Sequence, residues 1–208
     1  MNFLYLNAVR LFWFGGALII LLQDKLVFHK KINDLGTSFL DIVMRNLTHA
    51  GDGLFACLIV LAFLFIRIKT GLLLLLSFIS TAVVVQLLKH TLFDSMKRPI
   101  VFFQNDPSFR TIEAFTYHTS NSFPSGHSAS IFALCPVIAY QYRQNLLIQI
   151  CLVIIAATVA FTRVYLSQHF LQDIVAGSLI GTLISHVICV FYGSKFLALD
   201  RPLRIKKQ

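Results

Sequence analysis

Apolar residues gather along this chain into six long runs, and shorter polar segments separate them. A helix that spans a membrane needs about 20 mostly apolar residues, within a range of roughly 17–25. The second and fourth runs are short, so polar helix ends or a locally thinner bilayer would have to accommodate them. The pattern predicts an all-α integral membrane protein, a bundle of six helices. The predicted spans are Val9–Phe28, Leu54–Ile68, Leu72–Lys89, His127–Tyr142, Leu146–Arg163 and His169–Phe191.

The composition agrees with this pattern. Of the 208 residues, 57% are hydrophobic and only 13% are charged, whereas a soluble domain carries about twice that charged fraction. No composition shift, linker or repeat divides the chain, so we expect residues 1–208 to form one membrane-embedded domain. The first apolar run has no small-residue cleavage site after it, so we expect a retained helix and not a signal peptide.

The net charge of +9 is distributed in a way that suits a membrane. Basic residues flank the apolar runs instead of covering a soluble surface, which favours anionic lipid head groups over nucleic acid as the partner. With six spans, both termini lie on one side of the bilayer. The basic groups on that side are Arg10, Arg67, Lys69, Arg143 and the tail at 201–207. We therefore expect cytoplasmic termini in a bacterial inner membrane, and we expect the polar loops 29–53 and 93–125 to face the periplasm.

The four cysteines all fall inside apolar runs, and no two of them form a CxxC pair. We expect them to be buried free thiols that behave as small hydrophobic side chains, and not disulfides or metal ligands. They are Cys57, Cys135, Cys151 and Cys189.

The predicted topology brings polar residues from distant stretches to one place. The ends of the third and fifth spans and the starts of the fourth and sixth all lie on the periplasmic face. Ionisable residues near membrane depth are costly and usually functional, so we expect an active site at this periplasmic rim. The residues gathered there are Lys89, Arg98, Ser125, Gly126, His127, Arg163 and His169.

His169 and Asp173 are four residues apart, and on a helix they would share one face. A carboxylate there can accept the proton of one imidazole nitrogen and leave the other nitrogen free as a nucleophile. A purely structural His–Asp pair would have the same spacing, so this pair alone does not decide between the two interpretations.

Pro124-Ser125-Gly126-His127 is predicted to begin the fourth span. Backbone N–H groups at a helix N-terminus favour an anion, and Gly126 lets the backbone approach a ligand closely. Ser125 can donate a hydroxyl hydrogen bond to that anion, and His127 is placed to protonate a leaving oxygen. An ordinary capped turn is the commoner role of Pro-Ser-Gly by itself.

Arg163 offers a planar fork for two phosphate oxygens, and Lys89 and Arg98 add positive charge. Long basic side chains at helix ends also extend toward the membrane surface without binding any ligand. This alternative is stronger for Lys89 than for Arg163, which lies six residues before His169.

The remaining histidines are expected to be structural. His90 should face away from its neighbour Lys89 on a helix. Three others are expected in loops and one in the core of the sixth span; they are His29, His49, His118 and His186, respectively. No dense cluster of Cys, His, Asp and Glu resembles a metal site, so we expect no metal and no other cofactor.

Three parts of the chain together resemble the signature of the type 2 phosphatidic acid phosphatase family, which shares its core with vanadium haloperoxidases. The parts are Lys89…Arg98-Pro99, Pro124-Ser125-Gly126-His127 and Thr162-Arg163-x5-His169-x3-Asp173, and the resemblance covers about residues 85–180. Two departures stand out. Eight residues separate Lys89 from Arg98 where the family has six, which makes Lys97 a second candidate, and Thr162 replaces a serine.

The resemblance implies a metal-independent phosphatase that works in two steps. His169 attacks phosphorus and forms a phosphohistidine, while Asp173 holds its imidazole. His127 protonates the leaving oxygen and then activates water. The groups that hold the phosphate oxygens are Lys89, Arg98, Ser125, the Gly126 backbone and Arg163.

The expected substrate is a phosphomonoester or diphosphate of an envelope lipid, reached from within the bilayer. Lipid A and undecaprenyl diphosphate are favoured over phosphatidylglycerol phosphate and phosphatidic acid, and no obligate protein partner is expected. Two other functions stay open, namely phosphoryl transfer between lipids and lipid binding or transport without turnover. The intact His127, His169 and Asp173 argue against the latter.

Overall fold

The computed structural model describes residues 3–196, so the predicted basic tail at 201–207 lies outside the described residues. Residues 3–196 form nine α-helices and one short 3₁₀ turn, and they contain no β-strand. The helices are α1 (Phe3–Leu22), α2 (Lys25–Asp34), α3 (Ser38–Leu47), α4 (Gly53–Ile66), α5 (Ile68–Thr91), α6 (Pro99–Phe103), α7 (Gly126–Gln141), α8 (Leu146–Tyr165) and α9 (Leu171–Tyr192). The 3₁₀ turn, Thr48–Gly51, follows α3 directly.

The apolar runs became helices, but fewer of them than predicted are long enough to cross a bilayer. Within residues 3–196, four helices are long and apolar enough to cross a membrane: α1, α5, α8 and α9. A fifth candidate span is formed by α3 with its 3₁₀ turn and α4, which meet at a bend of 54°. The prediction of six spans is thus not matched by helix length, because α4 has 14 residues and α7 has 16. The backbone of Arg67 is extended, with φ −156°, which ends α4 early and separates it from α5. The chain is an integral membrane protein with several apolar helices.

The prediction for the first span was wrong at its C-terminal end. Helix α1 stops at Leu22, and Asp24 accepts hydrogen bonds from the backbone N–H groups of Leu26 and Val27, which starts the separate helix α2. An aspartate is among the preferred N-cap residues because it satisfies these otherwise unpaired donors. The predicted polar loop 29–53 is also mostly helical, since most of α2, all of α3 and the 3₁₀ turn lie within it.

Helix α7 occupies the centre of the bundle, and it packs most closely against α9. A Cβ atom added at Gly177 would lie 2.4 Å from the Ser125 carbonyl oxygen, and one at Gly181 would lie 2.3 Å from the Ala129 carbonyl oxygen. Only a glycine permits such an approach between two backbones. The contact places the N-terminus of α7 beside the N-terminus of α9, where the two halves of the predicted site begin.

The cysteines and histidines differ in part from expectation. All four cysteines are free, but Cys57 and Cys151 are exposed on the outer surface of the bundle and only Cys135 and Cys189 are buried. His29 does not lie in a loop: it is a buried residue of α2. Two of the other histidines lie outside the α-helices: His49 in the 3₁₀ turn and His118 in the segment before α7. The other two are helical: His90 is exposed on α5 and His186 is half-buried on α9.

Candidate active site

His169 lies in the short loop between α8 and α9, and not on α9 as predicted. The loop turns sharply because the backbone N–H groups of Gln168 and His169 both donate to the Arg163 carbonyl oxygen, at 3.0 and 3.1 Å. Ser167 takes a left-handed conformation, with φ +53°, within this turn. As a result, His169 is 2% exposed and lies beside the C-terminal end of α8.

Asp173 lies in the first turn of α9 and faces the His169 ring. Its Oδ2 atom accepts hydrogen bonds from the Phe170 backbone N–H at 2.9 Å and from Ser122 Oγ at 2.5 Å. The same oxygen lies 3.4 Å from His169 Nδ1, within ion-pair distance, although no hydrogen bond to Nδ1 is formed by any of the described residues. Asp173 is therefore anchored by two donors and is directed at one nitrogen of the imidazole.

Arg98 connects the segment before α7 with the loop that carries His169. Its Nε donates to the Ser120 carbonyl at 2.8 Å, and its Nη1 donates to both the backbone oxygen and the Oε1 of Gln168, at 3.0 Å each. Nη1 also lies 3.4 Å from His169 Nε2. Burial lowers the pKa of Arg98 from its usual 12.5, but an arginine guanidinium stays charged in proteins. This charge faces the side of the imidazole opposite to Asp173.

Lys89, and not Lys97, lies at the site. Lys89 is in the last turn of α5, is 9% exposed and donates from Nζ to the Asn121 carbonyl at 3.0 Å. Lys97 is exposed. The two additional residues between Lys89 and Arg98 therefore do not remove Lys89 from the neighbourhood of Arg98.

Arg163 lies in the last turn of α8, buried among the other site residues. Its Nη1 donates to Thr48 Oγ1 at 2.7 Å. Its Nε, however, is buried and has no hydrogen-bond partner among the described residues. A buried donor without a partner is costly, so an anion that accepts from this nitrogen would be stabilised here.

Ser125, Gly126 and His127 form the N-terminus of α7. Ser125 is the N-cap and is fully buried, and its Oγ accepts from the backbone N and the Oγ of Ser128, at 3.4 and 3.0 Å. Nothing lies within 4 Å of the position that a Cβ atom on Gly126 would occupy, so open space lies beside this backbone. Free N–H groups at a helix N-terminus attract anions, and the gap at Gly126 leaves room for one.

His127 has a partner that the sequence analysis missed. Its Nε2 lies 2.5 Å from Oδ1 of Asp52, which comes from the junction between the 3₁₀ turn and α4. The other missed residues are Ser122, which donates to Asp173; Gln168, which accepts from Arg98; and Thr48, which accepts from Arg163. Gln168 directly precedes His169 and Ser122 lies three residues before Ser125, a closeness to recognised residues that could have found them. Asp52 stands between two glycines just before an apolar run.

The electrostatics of the site favour an uncharged His169. Burial first, and then the positive charges of Arg98, Arg163 and Lys89, hold the pKa of His169 well below its usual 6.5. A neutral imidazole has a free lone pair, and three nearby cations can neutralise the oxygens of a phosphate. The structure thus brings all eight predicted site residues into one neighbourhood, with a chemistry that suits nucleophilic attack on phosphorus.

The fold and these three motifs define a membrane phosphatase, and comparison with known proteins gives the family. The PAP2 superfamily profile matches residues 70–196, which is more than half of the chain, and the chain belongs to the PAP2 superfamily. It is similar to phosphatidylglycerophosphatase B of Bacillus subtilis (strain 168), with 31% identity over 163 residues that cover 72% of this chain and 74% of that protein.

Two solved structures share the fold. LpxE of Aquifex aeolicus has a TM-score of 0.69 at 23% identity, over 80% of this chain and 95% of that one. The first transmembrane PAP2-type phosphatidylglycerolphosphate phosphatase from Bacillus subtilis has a TM-score of 0.65 at 26% identity, over 89% of this chain and 94% of that one.

These relationships confirm the family resemblance that the sequence motifs indicated. The chain is a transmembrane hydrolase that acts on lipid phosphates, in a family whose phosphatases work without a metal.

Proposed function

We propose that the chain removes the terminal phosphate of phosphatidylglycerol phosphate in a bacterial cytoplasmic membrane. The observation that carries this proposal is the 31% identity to phosphatidylglycerophosphatase B across about three quarters of both chains. The motifs alone favoured lipid A or undecaprenyl diphosphate, but they contain no residue that reads a sugar or an isoprenoid tail. The named relative therefore changes the order of the candidates.

Undecaprenyl diphosphate is the second candidate, and a cleft next to the site supports a substrate with a second phosphate. A cleft of about 460 Å³ begins at Thr48, the partner of Arg163, and Arg45 and His49 line it. The diester phosphate of phosphatidylglycerol phosphate, or the distal phosphate of a diphosphate, would meet Arg45 there. Phosphatidic acid has one phosphate and would leave this cleft unused.

The proposed mechanism assigns one role to each polar group. Nε2 of His169 attacks phosphorus while the bond to the leaving oxygen breaks, and His127 gives that oxygen a proton. Water then attacks the phosphohistidine as His127 takes a proton from it, which releases phosphate and restores both histidines. The groups that hold the phosphate oxygens are Lys89, Arg98, Ser125, the Gly126 backbone and Arg163.

The geometry supports these roles through the neighbours of His169. Asp173 contacts Nδ1 and Arg98 contacts Nε2, at 3.4 Å each. Because a guanidinium has only donors, the nitrogen that faces it carries a lone pair. That nitrogen is the proposed nucleophile.

We further propose that residues 1–208 form a single domain with six crossings, in which α4 and α7 complete the bundle. With a rise of about 1.5 Å per residue, α7 is about 24 Å long, somewhat less than the hydrocarbon core. The basic residues of the short segments support cytoplasmic termini, which would place the site at the periplasmic face.

Phosphate release from a panel of lipids by the purified protein, with a chelator present, tests the proposal. The panel contains phosphatidylglycerol phosphate, phosphatidic acid, undecaprenyl diphosphate and lipid A. We expect the highest kcat/KM for phosphatidylglycerol phosphate and no loss with the chelator. A higher kcat/KM for any other member would contradict the proposed substrate, and the appearance of phosphate on a second lipid in place of free phosphate would show a transferase.

A further inference from the structure

Asp52 lies between two imidazole rings. Its Oδ1 is 2.5 Å from His127 Nε2, and its Oδ2 is 2.7 Å from His49 Nδ1. The carboxylate is about one-third exposed, whereas the His49 side chain is 72% exposed. One aspartate thus connects a proposed catalytic histidine with a histidine at the protein surface.

The backbone around Asp52 is arranged for this contact. Its N–H donates to the His49 carbonyl and its carbonyl accepts from the Ala56 N–H, both at 3.0 Å. A Cβ atom at Gly51 would lie 2.9 Å from His127 Cβ, so only a glycine lets the two segments approach so closely.

The direction of the Asp52 carboxylate is unusual for its position. Asp52 is the N-cap residue of α4, where an aspartate normally accepts a hydrogen bond from the first turn of its helix. Its side chain makes no such bond to α4. It is turned toward His127 and His49 instead, which gives up a common helix-stabilising contact.

We propose that Asp52 is the positioning residue of the general acid–base histidine, an inference that rests on the proposed role of His127 in the function above. The ionised carboxylate can only accept hydrogen bonds, so His127 Nε2 must carry a proton. Nδ1 is then the nitrogen that exchanges a proton with the substrate. Asp52 thus keeps the His127 ring in one orientation, with a proton on Nε2, in both half-reactions.

Proton transfer balances in this scheme. In the first step, Nδ1–H of the His127 imidazolium gives its proton to the leaving oxygen as the P–O bond breaks and the bond from His169 Nε2 to phosphorus forms. In the second, Nδ1 takes a proton from water as the water oxygen bonds to phosphorus and the P–N bond breaks. Asp52 keeps its charge throughout and holds Nε2–H.

Asp52 also opposes the positive charges around His127. Two arginines face the His127 ring, Arg163 at the end of α8 and Arg98 before α6, and so does the loop that carries His169. The carboxylate that contacts the ring is that of Asp52. Burial and these positive charges disfavour a charged ring, and the Asp52 carboxylate is the contact that favours the imidazolium, the form that a general acid needs. His49 supports the other carboxylate oxygen from the solvent side and should contribute less.

The test uses Asp52→Asn and Asp52→Ser, since serine is itself a preferred N-cap residue for α4. Asp106→Asn is a matched loss of charge in the segment between α6 and α7. On the lipid phosphate that the wild type hydrolyses fastest, we expect each Asp52 variant to lose about tenfold or more in kcat. The alkaline limb of the kcat–pH profile should move to lower pH, while Asp106→Asn keeps both the rate and the profile. His49→Gln should shift the profile in the same direction by less.

A double-mutant cycle separates positioning from folding. Because Asp52 is proposed to act only through His127, His127→Ala/Asp52→Asn should be no slower than His127→Ala alone. Additive losses, or an unchanged pH profile in folded Asp52 variants, would overturn the proposal. If the wild type and His127→Ala behave as the proposed function requires while the Asp52 variants keep wild-type rates, this inference fails and the proposed function stands.

Discussion

Nη1 of Arg98 lies 3.4 Å from Nε2 of His169, and the same nitrogen donates to the backbone and side-chain oxygens of Gln168 at 3.0 Å. Arg98 therefore fixes the loop that carries His169 and also faces the imidazole nitrogen proposed to attack phosphorus. Because a guanidinium has only donors, Nε2 must be the acceptor, and the proton of the neutral His169 ring belongs on Nδ1, the nitrogen that faces Asp173. The nitrogen proposed as the nucleophile would thus have a free lone pair before substrate binds.

Replacement of Arg98 by lysine should damage the site although it keeps the charge. A lysine ammonium cannot reach the Ser120 carbonyl and both Gln168 oxygens with a rigid fork. We expect kcat/KM to fall by about 100-fold, the effect of roughly two lost charge-assisted hydrogen bonds. Steady-state phosphate release checks this, with Arg143→Lys at the opposite end of α7 as the control. Rates for Arg98→Lys within twofold of the wild type would show that charge alone is needed.

Lys89 and Lys97 offer a matched pair of variants. Lys89 is buried and bonded to Asn121, whereas Lys97 is exposed. We expect Lys89→Met to lower kcat/KM by about tenfold or more, because a buried cation no longer faces the phosphate, and Lys97→Met to leave it unchanged. The opposite order of effects would assign the lysine of the first motif to Lys97.

His127→Ala should affect substrates according to their leaving groups. An alkoxide needs a proton to depart, whereas the phosphate released from a diphosphate needs it less. We expect a loss of about 10²–10⁴-fold on phosphatidylglycerol phosphate and a smaller loss on undecaprenyl diphosphate. Parallel kcat measurements on the two lipids provide the comparison, and equal losses would argue against a general acid at this position.

His29 should make the fold sensitive to acid. It is buried, its Nε2 lies 3.1 Å from Ser167 Oγ, and burial lowers its pKa from 6.5 to about 4. Between these values the unfolded chain binds a proton that the folded chain does not, so stability falls as the pH falls, by up to about 3 kcal/mol.

The pH dependence of thermal unfolding in detergent measures this effect. Between pH 7 and pH 4.5, the Tm of the wild type should fall further than that of His29→Gln, which cannot be protonated. His90→Gln removes an exposed histidine and should keep the wild-type dependence. If His29→Gln and the wild type lose the same number of degrees, His29 is not the group responsible.

The sequence predicted the apolar helices, and which residues lie together at the candidate site, better than the helix ends. Hydropathy finds α5, α8 and α9 because it is a property of the segment itself. The start of α9 depends on contacts between segments: Asp173 takes the Phe170 N–H, and the Arg163 carbonyl takes two loop N–H groups. A local pattern does not contain these partners, so the helix was predicted to begin two residues early, at His169.

The supporting residues were missed for the same reason. Asp52 is 75 positions from His127 in the sequence, and Ser122 is 51 positions from Asp173. Their roles arise only when the fold brings separate segments together. Motif residues could be recognised because their chemistry and short spacing are visible in one stretch, as with Ser125, Gly126 and His127.

The central claim is that the imidazole of His169 attacks phosphorus, and phosphate release by purified His169→Ala tests it most directly. With the lipid that the wild type hydrolyses fastest, and with folding verified by thermal unfolding, we expect the rate to drop by about 10⁴-fold or more, to the level without enzyme. A folded His169→Ala protein that keeps a substantial part of the wild-type rate would contradict the account.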